Sequence, residues 1–442
     1  MLAVLGFVGT LVVVAGLIHL YLWRRLVRDT SRSRRWHKMG ALVMLALALL
    51  VPATVLGTRA GLYWLAWPGY LWLAVMFYLM IVLLVLELPM LAARLALRRA
   101  AGRAAPPAGP PQPALVTGAG QLAPADPLAP ADPLAPADPL APADPPTPSG
   151  PPAPTVLADS GYDPGRRLLL ARSAAIFAGL TAVGITGYGI RTALGPPQID
   201  RVQIPLRKLP RPMDGLRIAT VSDIHIGPLA GRAHTERIVS IINRVDADLV
   251  AVVGDLVDGT VGELGDAAAP LRDLRSRYGS FFVTGNHEYY SGVEEWVVEL
   301  DRLGLRVLQN TRQEIRAPGG AIDLAGVNDL AGEGVGVAAG PDFEAALRDR
   351  DPDLAVVLLA HQPVQVREAA RYGVDLQLSG HTHGGQVVPF NLVVGLEQPV
   401  VSGLGTIDGT QVYVTNGAGF WGPPVWVGAP PQVTVVELRA TG

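Results

Sequence analysis

Four apolar runs constrain this chain more than any other feature. Residues 2–23, 39–56, 67–91 and 173–190 each approach the roughly 20 residues a helix needs to cross a hydrocarbon layer. A backbone in lipid satisfies its amides only internally, so such runs must be helical. Half of the residues are hydrophobic, which suits a chain with membrane segments. Buried helices of a soluble domain are the alternative, but three such runs in succession speak against it. Trp64, Trp67, Tyr70 and Trp72 cluster at one end of the third run, as an interfacial aromatic belt would.

Basic residues set the expected orientation. Arg24, Arg25, Arg28, Arg32, Arg34, Arg35 and Lys38 crowd the first loop, and short loops rich in Lys and Arg stay cytoplasmic. The N-terminus is then expected outside. Arg94, Arg98, Arg99 and Arg103 follow the third run and fall inside by the same rule. Arg166, Arg167 and Arg172 precede the fourth run, which should therefore exit and leave the rest of the chain extracytoplasmic. The stretch Arg166-Arg167-Leu168-Leu169-Leu170 also looks like a twin-arginine export signal, although basic residues flanking a span account for it equally well.

Between these runs the composition turns to Pro, Ala, Gly and Asp. The unit Leu-Ala-Pro-Ala-Asp-Pro occurs four times in tandem over 122–145. Proline at this density favours extended polyproline geometry, and six residues with two prolines bury no core. A disordered linker is expected rather than a solenoid. The chain divides into a membrane domain with three transmembrane helices (1–99), a Pro/Ala-rich linker (100–165), a fourth transmembrane helix (166–192) and a catalytic domain (206–442).

After Arg191 short β-like runs alternate with helical ones. Residues 216–221, 249–253, 280–284, 354–359 and 376–378 read as buried strands, and 412–415 and 433–438 as late strands. Residues 235–245, 293–303 and 364–372 read as helices. The region is α/β. The Gly-rich stretch 332–340 reads as a loop rather than a phosphate cradle.

Polar residues follow these strands in a pattern. Asp223 and His225 follow the first, Gly254-Asp255 the second, Gly285-Asn286-His287-Glu288 the third, His361 the fourth and Gly380-His381-Thr382-His383 the fifth. Open α/β sheets bind ligands along that carboxyl edge. Of eight histidines, six lie after Arg191, and all of those but His234 fall in these motifs. Each motif alone is a common turn or a core histidine; the ordered set carries the weight. The chain has no cysteine, which excludes disulfides, zinc fingers and thiol chemistry. Any metal must then be held by nitrogen and oxygen donors, which suits Mn, Fe, Zn, Ni or Co rather than Mg or Ca. The formal net charge of −2 gives no sign of a nucleic-acid partner.

In this order the motifs resemble the calcineurin-like metallophosphoesterase superfamily: Ser-Asp-Ile-His (222–225), Gly-Asp-Leu-Val-Asp-Gly (254–259), Gly-Asn-His-Glu (285–288), Ala-His-Gln-Pro (360–363) and Gly-His-Thr-His-Gly-Gly-Gln (380–386). The resemblance covers about 216–438, and the last block with a preceding span looks like the membrane-associated branch. It implies a four-layer α/β/β/α sandwich preceded by transmembrane helices. It makes Asp223, His225 and His383 ligands of one divalent metal ion, Asn286, His361 and His381 ligands of a second, and Asp255 the bridge. It makes His287 the catalytic histidine beside the phosphate and Asp258 the carboxylate that orients it. Relatives often carry an Arg after a Gly-Pro-Pro-like turn, where this chain has Val425-Trp426.

The implied activity is metal-dependent hydrolysis of a phosphomonoester or phosphodiester by metal-bridged hydroxide. The fourth run ends close before the catalytic region, so a lipid-linked or envelope substrate and a bilayer partner are expected. The rival readings are a membrane sensor that binds phosphate-bearing ligands without turnover, and a di-metal hydrolase of a non-phosphate bond.

Overall fold

The run Leu-Val-Ala-Val-Val at 249–253 has no polar face, so a strand here must be covered on both sides. The computed structural model, which describes residues 2–104, 164–334 and 339–441, covers it in that way. The Pro/Ala-rich repeats and the middle of the Gly-rich stretch lie outside the described residues.

The apolar N-terminal part forms α1 (Leu2–Leu22), α2 (Arg34–Arg59), α3 (Ala66–Ala104) and α4 (Pro164–Ala193). There follow β1 (Gln198–Leu206), β2 (Leu216–Val221), α5 (Arg232–Arg244), β3 (Leu249–Val253), α6 (Val261–Ala268), β4 (Ser280–Val283), α7 (Asn286–Ser291), α8 (Val293–Arg302) and β5 (Leu305–Val307). The chain continues through β6 (Thr311–Ala317), β7 (Gly320–Gly326), α9 (Phe343–Leu347), β8 (Ala355–Leu359), α10 (Val366–Arg371), β9 (Leu376–Ser379) and α11 (Asn391–Val394). It closes with β10 (Gly403–Ile407), β11 (Thr410–Val414) and β12 (Gln432–Ala440).

Among the described residues these strands form two six-stranded sheets, ordered β1-β12-β2-β3-β4-β5 and β10-β11-β9-β8-β7-β6. Alternate side chains of a strand point to opposite faces, and this sorts the core into layers. Leu249, Ala251 and Val253 face the second sheet and pack with Ile322, Val357, Leu359 and Leu376. Val250 and Val252 face outward onto Ile238, Ile242 and Trp296 of α5 and α8. In the second sheet Val356 and Leu358 face outward onto Phe343, Ala346 and Ala369 of α9 and α10. The result is the four-layer α/β/β/α sandwich expected. β2, β3 and β4 run parallel, as do β8 and β9, so their carboxyl ends meet at one edge.

The expected strands are present, but β1 was not anticipated. It is mostly exposed and pairs in parallel with the C-terminal β12, from Gln198↔Gln432 to Leu206↔Ala440. β12 lies antiparallel to β2. The last strand of the chain therefore ties the segment leaving α4 to the centre of the first sheet.

Among the described residues, four helical spans are long and apolar enough to cross a membrane: Gly9–Arg28, Arg34–Arg59, Tyr63–Ala93 and Gly165–Ala193. Trp72 does not join an exposed aromatic belt. Its Nε1–H donates to His19 Nε2 at 2.9 Å, and His19 Nδ1 lies 2.7 Å from Ala15 O. With Nε2 accepting, the proton must sit on Nδ1, so the buried imidazole is satisfied and neutral. Trp64 and Trp67 remain exposed.

Met1–Leu86 and Leu168–Gly442 form one unit, and Glu87–Arg167 a second. Within the first unit the helices seat the sandwich directly. The Trp426 amide donates to Gly189 O of α4 at 3.0 Å, and Val425 is buried with Ala178 and Ala182 of α4 and Tyr78 of α3. Tyr63, between α2 and α3, donates to Glu263 Oε1 of α6 at 2.6 Å. At the other end of α4, Arg172 Nε donates to Thr30 O at 3.0 Å, beside the connection from α1 to α2. A Cβ at Gly189 would collide with Val425 Cγ1, whereas at Gly179 nothing lies within 4 Å. Gly189→Leu should therefore lower stability by about 1–3 kcal/mol through overpacking. Thermal unfolding of the full chain in detergent should show a lower midpoint for Gly189→Leu and none of that loss for Gly179→Leu.

Candidate metal centre

Polar residues that follow strands at one sheet edge can converge only if the backbone turns sharply there. It does so at Asp223, His225, Asp255, His381 and His383, whose φ values are 51°, 47°, 49°, 70° and 51°. Left-handed backbone is uncommon outside glycine and costs on the order of 1 kcal/mol or more per residue. Loop-to-loop hydrogen bonds hold it: Asp223 N to Gly254 O at 3.0 Å, His225 N to Asp255 O at 3.2 Å and Gly419 N to Asp223 O at 2.8 Å. The His381 amide donates to Asp223 Oδ2 at 3.0 Å.

Two groups of donors result. Asp223, His225 and His383 each offer a ligand atom within 4.8 Å of the others, and so do Asp255, His361 and His381. In the first group His225 Nε2 faces His383 Nε2 at 3.1 Å, and His383 Nε2 lies 3.4 Å from Asp223 Oδ1. In the second His361 Nε2 lies 3.1 Å from Asp255 Oδ2. The same Oδ2 is 4.0 Å from His225 Nε2, so Asp255 borders both groups. Its other oxygen, Oδ1, accepts the His287 amide at 2.9 Å. Asn286 opens α7 between His287 and Gly285, where a Cβ would collide with Asp255. All nine site residues expected from the sequence thus come to this edge, while His234, in α5, is in none of the donor groups.

The histidine tautomers follow from their outer partners. His361 Nδ1 is 2.8 Å from Val253 O, so it donates there and turns the Nε2 lone pair inward. His225 Nδ1 donates to Asp258 Oδ1 at 2.9 Å, with the same consequence. Asp258 Oδ1 also meets His287 Nδ1 at 2.6 Å, so one oxygen orients two imidazoles. His225, Asp258 and His287 form a third close group by geometry. These hydrogen bonds already use its nitrogens and oxygen, which makes it an orienting network.

The donor set fits a cation. Asn286 Oδ1 is buried and has no hydrogen-bond partner among the described residues. Orphaned buried polar atoms are rare and costly. Nitrogen and oxygen donors without sulfur suit a first-row divalent ion.

The local field is strong. Burial works against a charged His287, but Asp255 and Asp258 outweigh it and raise its pKa to about 9. Burial and the neighbouring His361 lower His381 to about 3, leaving its lone pair free. Burial raises Asp223 to about 6 against the pull of His361 and His225.

Sequence reasoning gave no role to Glu288. Its buried carboxylate accepts the amides of Gly285 at 2.6 Å, Leu256 at 2.8 Å and Asp255 at 3.0 Å. It therefore clamps the loop after β3 to the loop after β4. Burial and Asp255 push its pKa to about 7 against those amides. Glutamate at the third helical position, able to reach back to the helix start, was the available signal. Asp329 is a second such residue, buried and bound by Gln362 Nε2 at 3.0 Å through both oxygens. Tyr290 and Trp421 flank His287, with ring centroids 5.7 and 6.2 Å away. Val425 and Trp426, the departure from the resembled pattern, are the buried seat against α4 rather than part of the donor groups.

A paired-sheet sandwich thus gathers two neighbouring groups of donors at its strand ends, each able to hold a divalent ion. A family model described as Calcineurin-like phosphoesterase matches residues 216–385. A transmembrane protein with metallophosphoesterase domain from Danio rerio is 39% identical over 59% of this chain and 61% of its own. An uncharacterized metallophosphoesterase from Helicobacter pylori is 37% identical over 62% of this chain and 73% of its own. Another from Bacillus subtilis is 30% identical over 62% and 98%. The chain belongs to the calcineurin-like phosphoesterase family. It spans about three fifths of the length of the transmembrane relatives it matches.

Glu288→Gln replaces an oxygen with an amide that faces backbone donors. It should destabilise the folded chain by about 1–3 kcal/mol, the cost of buried unsatisfied groups. Denaturant unfolding of the purified protein measures this.

Proposed function

We propose that this protein is a membrane-anchored, two-metal phosphoesterase. The supporting observation is Asp255 Oδ2, which borders two donor groups at once, 3.1 Å from His361 and 4.0 Å from His225. In this reading Asp223, His225 and His383 hold one divalent ion. Asn286, His361 and His381 hold the other, and Asp255 is shared. When bound, such ions acidify coordinated water and neutralise phosphate charge.

The chain's own residues do the rest. Asp258 fixes His287 through Nδ1, which leaves Nε2–H to offer a proton to the leaving oxygen. Asp258, accepting from Nδ1, favours the protonated imidazole. Val253 O and Asp258 hold His361 and His225 in the tautomers a ligand needs. Tyr290 and Trp421 wall the histidine and limit water beside it.

The catalytic region, 206–442, sits at the membrane-helix ends opposite the Arg-rich first loop. Arg172 meets Thr30 at one end of α4, and Gly189 meets Trp426 at the other. This supports the extracytoplasmic orientation, with 1–99 and 166–192 in the membrane and 100–165 as the connection. The same closeness to the bilayer supports a lipid-linked phosphoester as substrate. Protease added to intact spheroplasts should digest the catalytic region; complete protection would reverse the orientation.

The deciding experiment is metal analysis of the full-length protein together with hydrolysis of p-nitrophenyl phosphate and its diester. Chelation should abolish turnover and a divalent metal restore it. Asp255→Asn should lose metal and activity together. His287→Asn should lower turnover about 10²–10⁴-fold, the usual worth of a general acid, while retaining metal. Wild-type activity in Asp255→Asn would sink the shared-aspartate assignment. Metal binding without turnover of either ester in the wild type would favour the sensor reading.

A further inference from the structure

The segment 387–396 reads Val-Val-Pro-Phe-Asn-Leu-Val-Val-Gly-Leu and carries no charge. It follows the His383 turn and contains α11. Its large side chains do not pack inward: Leu392 is 70% exposed and Leu396 87%, and Phe390 and Val393 are exposed as well. Contiguous apolar surface of this kind marks an interaction site.

Its surroundings indicate the partner. At its root Val387 bridges Val427, and both pack on the apolar cluster that holds Ala178 and Ala182 of α4 and Tyr78 of α3. The Val388 amide donates to Val427 O at 3.0 Å. The segment therefore springs from the point where the sandwich rests on membrane helices. Close by, Trp421 is 57% exposed, and a Cβ on Gly422 would sit 3.9 Å from Tyr70 of α3. Exposed Trp64 and Trp67 stand at the same end of α3. Aromatic side chains at a helix end mark the membrane–water boundary. The segment is thus continuous with the membrane helices, level with their aromatic ends and free of charge.

We propose that residues 388–396, with Trp421, form a bilayer-docking surface on the side where α4 ends. Phe390, Leu392, Val393 and Leu396 lie at the boundary between headgroups and acyl chains. The absence of Lys and Arg makes this an apolar insertion rather than attraction to anionic lipid. Trp421 also flanks His287, so the docking surface borders the mouth of the candidate centre. If the phosphoesterase reading holds, a substrate with an apolar tail reaches the centre from the membrane plane.

The chain has no cysteine, so single labels can be placed cleanly. Leu392→Cys, Leu396→Cys and the control Glu344→Cys, at an exposed position of α9, are labelled with an environment-sensitive fluorophore. Each full-length chain is reconstituted in phosphatidylethanolamine–phosphatidylglycerol vesicles containing doxyl lipid. Labels at 392 and 396 should show blue-shifted emission. Doxyl groups near the headgroup should quench them several-fold more than the label at 344, and iodide several-fold less. Iodide quenching equal to that of the control overturns the proposal. Protection from iodide without doxyl quenching overturns it too, and assigns the surface to a protein partner. Hydrolysis of p-nitrophenyl phosphate and of its diester by the same chains reports the enzyme reading separately: failure on both with lipid quenching intact sinks the hydrolase and leaves the docking surface standing.

Discussion

The structure depends on one buried carboxylate, that of Asp255. A carboxylate removed from water is costly unless charge and hydrogen bonds compensate. Here the Asp255 amide is held by Glu288, Oδ1 accepts the His287 amide, and Oδ2 faces His361 and His225. The partners come from three places in the chain, after β2, β4 and β8. The sandwich exists, in effect, to bring those strand ends together. The left-handed backbone at Asp223, His225, Asp255, His381 and His383 is the conformational cost of that convergence.

The layering explains why the edge can bear such strain. β3 is buried on both faces, with Leu249, Ala251 and Val253 on one side and Val250 and Val252 on the other. Close-packed strands move little, so the loops that leave them start from fixed points. Functional constellations are most exact when rigid elements carry them. Asp258 adds a second level of order, since one oxygen sets the orientation of both His225 and His287.

The region from His381 to Val427 serves two ends of the molecule. It supplies two imidazoles to the donor groups, and it supplies Val387, Val425 and Val427 to the apolar cluster of the membrane helices. The candidate centre is therefore held at a set distance from the helix ends instead of hanging on a linker. β1 reinforces this, because it leaves α4 and pairs at once with β12.

Much of this was legible in the amino-acid order, because the signals are local. A bilayer demands about 20 apolar residues in sequence, and β-strands followed by Asp, Asn or His announce their donors within a few positions. Eight of the nine expected site residues follow strands in this way; Asp258, and the role of each residue, came from the resemblance to a known family. Other features were decided only by contacts distant in sequence. Nothing near Gln198 announces its pairing with Gln432, and nothing in Trp72 announces a hydrogen bond to His19 rather than a place in an aromatic belt. Glu288 looks like an ordinary helix-start glutamate until the loop after β3 lies against it. Val425 and Trp426 look like a missing arginine until α4 fills the space beside them. Sequence sets which groups are available and how each short segment folds. Which groups meet is set by the packing of layers, where the partners lie tens to hundreds of residues apart.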